Sequence, residues 1–197
     1  MDLAVGLVQA YLRVNGYFTV TEFPVVESAD DHGYRAATDV DILACRFPNA
    51  VREVVGTPHR RPHPDPALAT PTDTVDMIVG EVKESRAAFN EPSLRPEVLA
   101  ATLARFGCCP PGHAGGLVAQ LLTKGSTRTP AGHHLRLVAF GASDSESHRY
   151  TTISLGQVHA YLEAFVREHW DALKAIPSKD PALGWVMLRE KLRRAKT

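Results

Sequence analysis

The chain has 197 residues, a size that suits one domain, or one domain with an appended helical piece. With 44% hydrophobic and 22% charged residues it reads as soluble and globular. It has no apolar run long enough to cross a bilayer and no charged-then-hydrophobic leader, so the expected setting is the cytoplasm. Its 22 basic and 22 acidic residues cancel, which argues against a uniformly basic nucleic-acid coat but not against a local basic cleft.

Residues 2 to 15 place Ala4, Leu7, Val8, Tyr11 and Val14 at helical spacing, opened by Asp2 and closed by Asn15-Gly16. "YFTVTEFPVV" then reads as a strand, with Pro24 marking a bend or an edge. After the polar turn "ESADDHGYRA" comes a second strand, "TDVDILACRF". Residues 48–73 hold six of the 14 prolines together with His59, Arg60, Arg61 and His63, a stiffened excursion with a short strand at "REVV". "TVDMIVGEVKES" is the third main strand.

The second half turns helical. "SLRPEVLAATLARFG" has Ser93 near its start, Pro96 in the first turn, Leu99, Thr102, Leu103 and Phe106 down one side, and Gly107 at its end. "GGLVAQLLTKG" is a shorter helix ended by Gly125. "HHLRLVAFG" and "YTTISL" read as strands, and "GQVHAYLEAFVREHWDALK" as one amphipathic helix. A last helix starts at Asp180-Pro181 and ends in the basic "KLRRAKT". The order predicts an α/β fold: a central mixed β-sheet flanked by helices, with an αβββαβ core over 1–155 and C-terminal helices over 156–197.

The chemistry is concentrated in two of these strands. Asp39 and Asp41 lie two apart in the second, and paired negative charge there is costly unless a cation compensates it. Glu81 and Lys83, two apart in the third, point to one face. If the strands are neighbours, Asp41, Glu81 and Lys83 converge. Two carboxylates suit magnesium (or manganese), a hard cation that takes oxygen ligands at ~2.1 Å and keeps several waters. Such an ion acidifies water, and an adjacent ammonium can orient that water and counter charge on a phosphate.

The "D-x-D-I-L-A" strand, the "G-E-V-K-E" strand and their order resemble the core of the PD-(D/E)XK nuclease superfamily, of restriction-endonuclease-like fold. "AYLRVNGYFTV" is similar to the helix-to-strand entry of Holliday-junction-resolvase-like and Mrr-like members. The resemblance spans roughly residues 2–141 and implies a magnesium-dependent endonuclease acting on DNA. It assigns Asp41 and Glu81 as metal ligands, joined by the Val82 carbonyl, and Lys83 as the group that orients water and stabilises the transition state. Many members carry a glutamate in the first helix, where this chain offers Asp2 and Gln9. Gln9 and Asp39 are auxiliary candidates, and Arg60, Arg61 and Arg86 are candidate phosphate contacts. "QVHAY" looks like the Q-x-x-x-Y helix motif of RecB-like nucleases but follows the later strands.

Other groups read as structural. His59, His63 and Asp65 sit in a proline-rich loop and read as solvated, and His133-His134 as the exposed end of a strand. Ser143, Ser145, Ser147 and His148 form a polar turn without a nucleophile elbow, and "LLTKGST" lacks phosphate-loop spacing. Cys45, Cys108 and Cys109 form neither a disulfide framework nor a zinc site. Trp170 and Trp185 read as core, and Arg189, Lys191, Arg193 and Arg194 as a solvated helix face. The rival expectation is a catalytically inactive nuclease-fold module for binding or regulation. A third is a structural partner that uses the two terminal helices to form a homodimer.

Overall fold

In the computed structural model, which describes residues 2–29, 33–50, 64–143, 147–176 and 178–195, Asp2 opens helix α1 (Leu3–Val14), its carboxylate accepting the Ala4 amide. The short strand expected at 52–55, the histidines and arginines of 59–63, and Ser145 lie outside the described residues. Strands β1 (Phe18–Ser28) and β2 (Tyr34–Arg46) form an antiparallel hairpin. β2 begins at Tyr34 rather than Thr38, because Ser28, Glu27 and Val26 pair with Tyr34, Arg35 and Ala36.

β3 (Asp76–Arg86) is central. It pairs antiparallel with β2 and parallel with β5 (His134–Ser143). The crossover between β3 and β5 carries α2 (Pro96–Phe106) and α3 (Pro111–Lys124), each ended by a left-handed glycine, Gly107 and Gly125. β4 (Ser126–Arg128) and β6 (Thr151–Ser154) both flank β5, β4 along its first half and β6 along its second. β4 was not anticipated, since three residues are too few to display a period. The sheet order is β1-β2-β3-β5-β4, so Pro24 lies on an edge strand, as expected.

Alternation along the strands builds two cores. Ile42, Ile78, Val82, Val138 and Phe140 face α1, α4 (Leu155–Glu168) and α6 (Pro181–Arg194). Leu43, Val79, Leu135 and Leu137 face α2 and α3. Burial of each such side chain contributes about 1.5–3 kcal/mol. The helix expected over 156–174 turns at His169, and a short helix α5 (Trp170–Leu173) swings Leu173 onto the first core. Trp170 packs there too, but Trp185 does not. It is 59% exposed and shares one face of α6 with the exposed Leu188 and Leu192, so the expectation of a core residue fails.

Two buried polar clusters hold the layers together. Asp65, expected to be solvated, is buried because its carboxylate accepts the Tyr11 hydroxyl at 2.8 Å and the Gln157 amide at 3.0 Å. "QVHAY" is thereby explained as an anchor: Gln157 holds Asp65, and the Tyr161 ring packs edge-on to Tyr11. The second cluster surrounds Asp76, whose carboxylate takes Arg136 Nε and Nη2, the Tyr17 hydroxyl and His134 Nδ1. His134 is therefore no exposed strand end. Its ring adds a further partner to a buried carboxylate that Arg136 and Tyr17 already hold.

Candidate active site

β2 and β3 pair from Arg46↔Asp76 to Ile42↔Gly80, and there the ladder stops. One step further the register would set Asp41 opposite Glu81. Instead of a ladder bond, the Asp41 carboxylate accepts the Val82 amide at 2.8 Å. β3 continues along β5 through Lys83↔Gly141, while β2 stays with β1, so the two strands part at the acidic residues.

The hairpin is irregular at the same level. Thr21 pairs with Ile42 and Phe23 with Val40, and Glu22 between them, across from Asp41, has φ 52°. A left-handed glutamate costs about 1–2 kcal/mol, so the surrounding packing must impose it. Alternation is disturbed accordingly: Val40 and Leu43 both pack in the α2/α3 core and Ile42 in the other. At this level the Asp41 carboxylate turns to the Val82 amide across the parting strands.

Glu81 is 1% exposed, and three neighbours hold it. Its Oε1 accepts Asn90 Nδ2 at 2.6 Å and lies 2.8 Å from Lys83 Nζ, and its Oε2 accepts the Ser93 hydroxyl at 2.9 Å. Asn90 is itself oriented, because its Oδ1 accepts the Ser93 amide at 2.7 Å. The segment carrying both residues can return over the sheet because Gly141 has no side chain: a Cβ there would collide with the backbone of Ala87. Asn90 and Ser93 were missed from sequence. The available signal was "NEPS", an amide three residues before a serine, which fits a side-chain-to-backbone turn.

Burial pushes the Asp41 carboxyl above its ordinary value; the Val82 amide opposes this, the Glu81 charge adds to it, Lys83 offsets it and Asp2 adds again. Asp2 thus joins the site electrostatically, from the start of α1. Because the folded state disfavours the Asp41 anion, that anion costs stability at neutral pH, and the cost fades as pH falls through the raised value. Asp41→Asn keeps an acceptor for Val82 and loses the charge. In chelator at pH 7 it is expected to melt above wild type, and the difference should shrink toward acid. A lower melting temperature at pH 7 would contradict this assignment.

The other expected residues are placed as follows. Asp39 is exposed, pairs in register with Pro24 and enters none of the contacts joining Asp41, Glu81 and Lys83. Gln9 is buried with Nε2 3.5 Å from Thr21 Oγ1, tying α1 to β1 rather than touching the carboxylates. Arg86 is exposed at the end of β3, and Arg60 and Arg61 lie outside the described residues. Val82 offers its amide to Asp41, while its side chain joins the α1/α4 core.

The donor set fits one hard cation. An ionised carboxylate has about four lone-pair sites, and the contacts above use three on Glu81 and one on Asp41. Both carboxylates thus retain acceptor capacity, enough for magnesium, which needs few protein ligands. Among the described residues no group of three or more His, Cys, Asp or Glu side chains forms a metal centre. Compared with known proteins, the chain matches no family model, no curated protein and no solved structure. Among the described residues no helix is long and apolar enough to cross a membrane.

Proposed function

We propose that the protein is a magnesium-dependent endonuclease that hydrolyses phosphodiester bonds in DNA, of the PD-(D/E)XK type with a restriction-endonuclease-like core. The observation that carries this reading is the meeting of Asp41, Glu81 and Lys83 where β2 and β3 part. Asp41 and Glu81 would hold the ion, which supplies Lewis acidity and an acidified water. Lys83, 36% exposed at its side chain and 2.8 Å from Glu81, would orient the attacking water and offset charge on the phosphorane. Asn90 and Ser93 keep the Glu81 carboxylate from rotating. Arg86, with Arg60 and Arg61, would contact the phosphate backbone. Three free thiols, Cys45, Cys108 and Cys109, suit the cytoplasmic setting that this reading assumes. Cleavage of plasmid and branched DNA in magnesium, with and without Asp41, tests it.

One observation favours the second reading, an inactive nuclease-fold module for binding or regulation. Lys83 already sits on Glu81, so a cation is present without a metal. Calorimetry with manganese separates the two. The enzyme reading expects wild type to bind the ion and Glu81→Gln to bind it at least about tenfold more weakly, a difference of about 1.4 kcal/mol. No heat from wild type would favour the inactive module.

A further inference from the structure

A cavity of about 780 Å³ opens at the sheet edge where β4 gives way to β6, and no role in the proposed cleavage falls on it. Lys124, Ser126, His134, Arg136, His148 and Thr151 line it, and none of its described lining residues is acidic. Arg136 is 4% exposed and locked by Asp76 through Nε and Nη2; neither of those bonds uses Nη1. His134 is turned to Asp76 through Nδ1, which leaves Nε2 outside that contact. Lys124, in the last turn of α3, has no acidic partner among the described residues. Tyr150 also lines it, with its ring packed 5.1 Å from that of Phe89.

The cavity is separate from the acidic pair. Arg136 and His134 line the cavity from the α1/α4 face, while Lys124 and Tyr150 approach from the side of α3 and Phe89. That is the side from which Asn90 and Ser93 reach Glu81, so what sets the two sites apart is their offset along the strands. Along β5, Arg136 precedes by three positions Ala139, the partner of Glu81, which is about 10 Å at strand spacing.

We propose that this cavity binds a phosphomonoester dianion, carried either on a free nucleotide or at the end of a nucleic-acid strand. A locked guanidinium, an ammonium with no acidic partner among the described residues and a set of hydroxyls match a group with two negative charges and three acceptor oxygens. The volume is in the range of small-molecule sites and leaves room beyond the phosphate for the body of the ligand.

The test is calorimetric titration in chelator, so that metal binding at Asp41 and Glu81 is silent, with inorganic phosphate, AMP, and a short oligonucleotide bearing either a 5′-phosphate or a 5′-hydroxyl. Wild type is expected to bind AMP or the phosphorylated strand, and Lys124→Glu, an exposed substitution, to weaken that binding at least about tenfold while melting normally. Asp41→Ala is expected to bind as wild type does, which keeps this outcome independent of the cleavage assay. Preference for AMP assigns a free nucleotide, and preference for the 5′-phosphorylated over the 5′-hydroxyl strand assigns a strand end. The proposal is overturned if no phosphate-bearing probe binds, if both strands bind alike and AMP does not, or if Lys124→Glu binds as wild type.

Discussion

Asp41→Ala is expected to lower magnesium-dependent DNA cleavage by about 100-fold or more while the protein stays folded. The residue is half-buried where β2 leaves β3, and among the described residues its carboxylate bonds to the Val82 amide, so its loss should disturb the site more than the cores. Lys83→Ala is expected to cost a similar factor for a different reason: Glu81 remains held by Asn90 and Ser93, but no ammonium faces the phosphate. If both act in one transition state, the double variant should lose much less than the product of the single losses. Initial rates on plasmid and branched DNA, with melting curves as the folding control, check this. Equal rates for wild type and both variants would remove the trio from catalysis.

The largest effect on stability is expected from Arg136→Met. Both Arg136 and Asp76 are buried, and the substitution strips a 1%-exposed carboxylate side chain of its guanidinium. Breaking one side of such a pair costs about 3–5 kcal/mol, a fall of roughly 10 °C in melting temperature at this chain length. Burial alone would raise the Asp76 carboxyl, but bonds from His134 and Arg136, the Arg136 charge and the Tyr17 hydroxyl outweigh it and hold it below the usual carboxylate range. A group lowered on folding contributes stability above its unfolded value, about 3.9, and loses it as pH falls through the folded value. Wild type should therefore lose melting temperature below about pH 4, and Asp76→Asn should lack that component. Denaturant midpoints at unchanged slope are the second measure. An Arg136→Met protein within about 1 kcal/mol of wild type would show that the cluster is not what holds β3, β5 and the Tyr17 segment together.

Asp41, Glu81 and Lys83 were legible because a strand's period is two: Glu81 and Lys83 had to share a face, and a second acidic strand nearby supplied Asp41. Asp39 fits that period equally well, yet the irregularity at Glu22 and Asp41 left it exposed beside Pro24. Asn90 and Ser93 could not be assigned to Glu81, because the close approach that brings them back depends on Gly141, far along the chain. Trp185 was misread because an aromatic residue at helical spacing says that a face is apolar, not that another layer covers it.

Apart from the three-residue β4 and the break before α5, the order of helices and strands, the cover of the sheet by helices and the identity of the acidic and basic residues were written in local periodicity, caps and breakers. Those signals act over a few residues, and one chain carries them without reference to its partners. Which strand lies beside which, where β2 and β3 part, which polar groups are buried at Asp65 and Asp76, and that a cation-lined cavity opens beside β5 were decided by the tertiary structure. Each of these depends on contacts between residues distant in sequence, and on the need to satisfy every polar group that those contacts remove from water.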